Sequence, residues 1–169
     1  MSRHETREIG VIAERQEVDS PWCDHRWRVT GLLPGAPAVP SWTLLGAEAG
    51  VRRYFAGNAV LELYPLETDT LRHNVEGPQP AVYVFLRATD AAPGVSLLGA
   101  TVCAGEAQAH VDTGSDLVES LPMPGDLHAW ITDFVARHHV ERPSYKRKRD
   151  RSEHGPARHL ALPEGDEDE

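Results

Sequence analysis

The chain has 169 residues, which is long enough for one domain with a hydrophobic core of its own. Its net charge of −9 argues against a core that binds nucleic acid, and its two cysteines make neither a disulfide framework nor a zinc-binding pattern. Its apolar runs are far shorter than the roughly 20 residues that span a bilayer. No apolar secretory segment follows the first residues, so we expect a cytoplasmic location.

Alternation of apolar and polar side chains predicts about seven short strands. Gly57-Asn58 lies between two of them and predicts a hairpin turn, because both residues tolerate a positive φ. Ala81–Leu86 is apolar on both faces and predicts a central strand. The seven predicted strands are residues 9–13, 27–33, 51–55, 59–64, 81–86, 95–102 and 117–121.

One strongly amphipathic helix is predicted over residues 124–140. Asp126 is placed to accept hydrogen bonds from the first free N–H groups, and Pro143 ends the pattern. Residues 66–75 allow a short helix, and residues 106–110 allow one further helical turn. The side chains that share the apolar face of the main helix are Leu127, Trp130, Ile131, Phe134 and Val135.

Strands followed by a helix predict an α+β fold with antiparallel pairing. We expect a small antiparallel barrel or a strongly bent sheet of about seven strands, packed by the C-terminal helix. Residues 1–142 are predicted to form this single domain, and residues 143–169 a disordered tail that is first basic and then acidic. The absence of a glycine-rich turn between a strand and a helix argues against a doubly wound nucleotide-binding fold.

Three short patterns suggest chemistry, but each has a plainer interpretation. Asp112-Thr113-Gly114-Ser115 matches the motif of aspartic proteases, which need two such aspartates, so we interpret it as a turn. Cys23 and His25 are too close in sequence to meet as a nucleophile and its base. His138, His139, His154 and His159 could be metal ligands, but the first two diverge by about 100° on a helix and the last two lie in the predicted tail, so we interpret His138 and His139 as a solvated helix end. We predict no catalytic, cofactor-binding or metal-binding residue.

The predicted interaction residues lie in two places. Each of the four tryptophans is first expected to pack in or around the core, but an exposed Trp22 beside Pro21 would be suited to contact a partner. The basic run Lys146, Arg147, Lys148 and Arg149 suits phosphate, RNA or an acidic protein surface, and its alternative interpretation is a solvated linker.

Several segments together resemble an uncharacterised bacterial family of domains of unknown function. The resemblance covers residues 8–150, and it implies a gene context: genes of this family tend to lie in formate dehydrogenase clusters, beside genes of molybdenum-cofactor proteins. The matching segments are Pro21-Trp22, Trp27–Gly35, Glu67-Thr68, Asn74, Pro80–Val84, Leu86-Arg87, Glu106–Gln108, Met123-Pro124, Trp130, Phe134-Val135 and Lys146–Arg149.

The expected function follows from this context and from the lack of a catalytic motif. We expect a non-catalytic accessory or maturation protein of a molybdenum-dependent formate dehydrogenase system, which binds a dehydrogenase subunit or maturation factor and needs no cofactor. One alternative is a small β-barrel that binds a pterin, a nucleotide or another metabolite, with Arg28, Arg53 or Arg87 facing inward. The other alternative is an enzyme whose site is assembled from distant residues.

Overall fold

A computed structural model describes residues 3–143 of the chain. Seven strands and three helices make up this part, and a short 3-10 turn, Pro65–Glu67, precedes the first helix. The elements in chain order are β1 (Glu5–Glu17), β2 (His25–Leu33), β3 (Thr43–Glu48), β4 (Val51–Leu63), α1 (Thr68–Glu76), β5 (Ala81–Ala88), β6 (Val95–Thr101), α2 (Ala104–Thr113), β7 (Asp116–Pro122) and α3 (Gly125–His138).

The strands form two antiparallel sheets. The first sheet has the order β2-β1-β4-β3, and the second has the order β6-β5-β7. The sheets also meet at their sides, because β6 lies beside β4 and β7 lies beside β2. Arg28 on β2 and Glu119 on β7 form an ion pair of 3.6 Å across the second of these seams. Within the described part, β3 is therefore the one strand whose outer edge faces neither a strand of its own sheet nor the other sheet.

The core lies between the two sheets and follows the alternation of the strands. Ile9, Val11 and Ala13 point inward from β1, while Val84 and Leu86 point inward from β5. Trp27 belongs to the same core and packs edge-on against Trp42, with ring centroids 5.5 Å apart. The predicted strands over residues 9–13 and 27–33 and the predicted central strand Ala81–Leu86 are thus confirmed.

Helix α3 covers one end of this core, as its pattern predicts. Its five predicted apolar side chains are all buried, and Phe134 and Ile131 are 0% exposed. Trp130 donates from Nε1 to Glu5 Oε2 at 2.9 Å, and Arg137 pairs with the other oxygen of Glu5 at 2.7 Å. These contacts fasten the last helix to the beginning of the first strand.

Helix α1 packs beside α3 and is fixed to the second sheet by Asn74. The Asn74 amide donates to Ala81 O at 2.9 Å and to Val102 O at 2.8 Å, and its oxygen accepts from Ala81 N at 3.0 Å. Leu71 and Val75 are its buried apolar residues. The short helix that the sequence allowed over residues 66–75 is confirmed.

Helix α2 lies on the outer face of the second sheet. Ala107 is buried there, and the His110 ring stacks on Phe85 with centroids 3.8 Å apart. Phe85 alternates with the inward-facing Val84 and Leu86, so it reaches the opposite face of β5. The helix has ten residues rather than the single turn expected, and it ends at Gly114, whose φ of 71° suits a left-handed cap.

The predicted hairpin at Gly57-Asn58 is wrong. Residues 51–63 form one continuous strand, β4, and Gly57 lies opposite Val11 where the register of the two strands shifts. The positive φ of Gly57, 134°, serves this irregularity rather than a turn. The real hairpin joins β3 to β4 through Gly50, which has a φ of 74°.

The expected barrel also requires correction, because residues 3–143 form two sheets and not a closed barrel. The fold is packed by three helices rather than by α3 alone, because the two segments for which the sequence allowed helical structure form α1 and α2. Asp126 does not cap α3; the preceding residue is Pro124, and no side chain makes a cap hydrogen bond there.

No helix in residues 3–143 is long and apolar enough to cross a membrane. Apart from Pro143, the predicted tail, residues 143–169, lies outside the described residues.

Candidate functional site

A groove of about 440 Å³ lies where β4 and β6 meet beneath α2. We call it the acidic groove. Val60 and Leu98, which are 46% and 41% exposed, give it an apolar surface. Its ionisable lining residues are Glu62, Tyr64, Glu67, Glu106 and His110.

Glu62 and Tyr64 reach the groove because they alternate with buried residues of β4. The Tyr64 hydroxyl donates to Glu62 Oε2 at 3.1 Å, and this hydrogen bond raises the pKa of Tyr64. The His4 ring stacks on Tyr64 with centroids 4.3 Å apart, and its Nε2 lies 3.7 Å from Glu62 Oε1. This wall of the groove is thus held by contacts with the beginning of the chain.

Glu67 and Glu106 place two more carboxylates in the same groove. Partial burial raises the pKa of Glu67, and the negative charges of Glu106 and Glu62 raise it further. Within residues 3–143, neither Glu67 nor Glu106 forms an ion pair with an arginine. The groove therefore carries negative charge that its described neighbours do not neutralise.

His110 is oriented by a buried carboxylate at the back of α2. Its Nδ1 lies 2.7 Å from Asp116 Oδ2, and the Asp116 side chain is 0% exposed. Arg87 donates to both oxygens of Asp116, at 2.7 and 3.1 Å. The hydrogen bonds from Arg87 and His110 lower the pKa of Asp116. An ionised Asp116 fixes the ring with its N–H at Nδ1.

This arrangement is suited to bind a cation rather than to make a covalent intermediate. Carboxylates attract ammonium and guanidinium groups and repel phosphate. Thr101 carries the one aliphatic hydroxyl among the described lining residues. It is poorly placed to act as a nucleophile, because Thr101 is buried and its Oγ1 accepts a hydrogen bond from Cys103 N at 3.1 Å. In residues 3–143 no three or more His, Cys, Asp or Glu side chains are grouped to hold a metal ion.

The predicted interaction residues lie away from this groove or outside the described part. Trp22 is in the loop between β1 and β2 and is 91% exposed, with only its backbone N bonded to Ser20 Oγ at 3.3 Å. The exposure meets the condition set for this residue, and its contact with a partner stays a prediction. The four basic residues Lys146, Arg147, Lys148 and Arg149 lie outside the described residues.

The three arginines considered for an inward-facing ligand site are on the surface. Arg28 pairs with Glu119, and Arg53 pairs with Glu14 at 2.8 Å. Arg87 holds Asp116, as described above. All three side chains are about half exposed, at 48%, 51% and 48%, so they do not line an interior cavity.

None of the ionisable residues of the groove was predicted as a site residue. The alternation of Glu62 and Tyr64 with Leu61 and Leu63 does indicate that the first two face outward. Their meeting with Glu106 depends on the contact between β4 and β6, which are not neighbours in sequence. The sequence contains no local signal for that contact.

The comparison with known families agrees with the extent of this fold. The sequence model of a family described as "Protein of unknown function (DUF3305)" matches residues 8–149. The chain belongs to this family. The match begins within β1, includes every later element and continues through the basic run to Arg149. No curated protein and no solved structure matches the chain.

Proposed function

We propose that this protein is a non-catalytic accessory protein of a molybdenum-dependent formate dehydrogenase system, which acts in the cytoplasm by binding a basic segment of a partner protein. The observation that carries the binding part is the acidic groove, with its unneutralised Glu67 and Glu106. The dehydrogenase part depends on the gene context that the family resemblance implies. The partner we expect is a dehydrogenase subunit or a maturation factor.

The groove favours a peptide over a phosphorylated ligand. Lysine or arginine side chains would pair with the carboxylates, while their aliphatic stems would lie against Val60 and Leu98. Such a contact depends on charge for its association rate and its selectivity, so added salt should weaken it. Trp22 offers a second, uncharged contact elsewhere on the surface.

The proposal is tested by affinity capture from the bacterial host grown under formate-oxidising conditions. A tagged full chain should retain a formate dehydrogenase subunit or maturation factor. The double variant Glu67→Lys and Glu106→Lys should lose that protein, because the groove would become cationic. The matched control Glu17→Lys and Glu48→Lys changes two exposed carboxylates elsewhere and should retain it. Failure of the unmodified chain to capture either kind of protein would overturn the proposal.

A second candidate is a small-ligand site in the same groove. The 2-amino and N3–H edge of a pterin presents two hydrogen-bond donors, which can pair with the carboxylate of Glu67 or Glu106. A nucleotide phosphate would instead be repelled by these carboxylates. The groove volume is within the range of small-molecule sites. Titration of the purified chain with a fluorescent pterin should show saturable binding that the Glu67→Gln variant weakens, and a flat titration would exclude this ligand.

One observation favours an enzyme as a third candidate. A carboxyl group with a raised pKa beside a second carboxylate is the arrangement that general acid–base catalysis uses. Such an enzyme would lose its catalytic rate when Glu67 is replaced by Gln. A peptide-binding groove would keep the carboxylates of Glu62 and Glu106 and would lose only part of its affinity for the basic segment.

A further inference from the structure

The described part of the chain ends beside the element that borders the acidic groove. After α3, His139 Nδ1 lies 3.2 Å from Thr68 Oγ1, and Glu141 lies 3.9 Å from Arg72. Thr68 and Arg72 belong to the first two turns of α1. The residue just before α1 is Glu67, which lines the groove. The chain therefore leaves the described part close to one rim of the groove.

The basic run is near enough in sequence to reach that groove. Lys146 follows Glu141 by five residues, which span at most about 17 Å when extended. The three further residues to Arg149 add about 10 Å. A helix with its side chains is about 10–12 Å across, so a chain of this length can pass over the first turn of α1.

The run and the groove are complementary in charge. The four residues Lys146–Arg149 are all cationic, while the groove presents the carboxylates of Glu62, Glu67 and Glu106. Tyr145 directly precedes the run in sequence, and an aromatic ring at that position would suit the exposed apolar surface of Val60 and Leu98. The acidic groove, with its carboxylates and its exposed apolar surface, is suited to a cationic segment that begins with an aromatic residue.

The extent of the family match associates the run with the domain. The match continues past Pro143 and ends at residue 149, the last residue of the run. The acidic end of the chain, residues 164–169, lies beyond it. The basic run is thus included in the region that this family shares, and the acidic end is not.

We propose that the basic run Lys146–Arg149 occupies the acidic groove of its own chain. A partner segment would then have to displace the run before it could bind. This inference rests on the proposed function only for the identity of the competitor. The occupation itself needs no partner.

Zero-length cross-linking with a carbodiimide tests the occupation on the purified full chain. Lys146 and Lys148 are the only lysines of the sequence, so every cross-link from a lysine reports the position of the run. We expect peptides that join these lysines to Glu62, Glu67 or Glu106 within a monomer. Added salt should decrease their yield, because the contact is between charges.

Two matched variants decide the interpretation of the cross-links. Replacing the three groove glutamates by Gln should remove most of the lysine cross-links. The control, Glu17→Gln, Glu48→Gln and Asp90→Gln, removes three exposed carboxylates elsewhere and should leave the yield unchanged.

Three results would overturn the inference. These are an absence of groove cross-links, lysine cross-links that concentrate on residues 164–169, and groove cross-links found only in covalent dimers, which would assign the run to a second copy. Because the experiment contains no partner, its failure leaves the affinity capture free to succeed. Conversely, failure of the capture leaves the cross-links intact.

Discussion

At the scale of one residue, the negative charge of Glu67 is unfavourable in the folded protein. Burial and the neighbouring carboxylates of Glu106 and Glu62 raise its pKa above the ordinary 4.5. The ionised side chain is therefore less favourable in the folded chain than in the unfolded one. A residue kept at a cost to stability is characteristic of a binding or catalytic site.

In a chain that ends at Pro143 and so lacks the basic run, the replacement Glu67→Gln should stabilise the fold at pH 7. The expected gain is below about 1 kcal/mol, because partly exposed charges are screened by solvent. The sign follows from linkage: as the pH falls through the raised pKa, folded Glu67 takes up a proton and the penalty disappears. The gain should therefore shrink towards zero below pH 4.5. Urea unfolding of both proteins between pH 4 and pH 8 measures it, with Glu17→Gln as the control. A variant that is less stable at pH 7 would contradict this account.

At the scale of elements, α3 was the most predictable part of the fold. Its apolar side chains recur with helical spacing over about two and a half turns, and the structure buries each of them. Gly57-Asn58 misled the prediction because a glycine with positive φ serves a strand irregularity as well as a turn. β3 was not predicted because this edge strand has no buried face: five of its six residues are exposed, so its sequence does not alternate.

Truncation of the α3 face should destabilise the domain strongly. Ile131 is 0% exposed, so Ile131→Ala leaves a cavity in the core and should cost about 2–5 kcal/mol. The adjacent Thr132 is exposed, and Thr132→Ala should change stability by no more than about 0.5 kcal/mol. Thermal or urea unfolding followed by circular dichroism measures both. Equal effects of the two substitutions would mean that this helix does not close the core.

At the scale of the whole molecule, one core joins both sheets and all but α2 of the helices. Trp27 on β2 lies opposite Arg15 near one end of β1, while Trp130 contacts Glu5 and Arg7 near the other end. At 3.3 Å per residue these positions are separated by about 30 Å along the strand. Both tryptophans nevertheless belong to the same buried cluster. The sequence predicts the faces of the strands but not which sheet edges meet, and that meeting is what forms the acidic groove.

Unfolding should therefore be a single cooperative transition. In Trp27→Phe, fluorescence reports mainly on the other tryptophans, including the buried Trp130; in Trp130→Phe, Trp27 contributes instead. We expect the urea midpoint from fluorescence to equal the midpoint from far-UV circular dichroism within each variant. Separate midpoints would show that the two ends of β1 unfold as independent units.

The hydrogen bond from Trp130 to Glu5 has a consequence for the order in which the chain matures on the ribosome. β1 is made first but is fastened by α3, which is made last among the elements described here. Until α3 has left the exit tunnel, one end of the apolar interior stays uncovered and is a target for chaperones. Folding of this domain is thus completed only after α3 has been made, and an engineered stop before Gly125 should yield an aggregating product rather than a smaller stable unit.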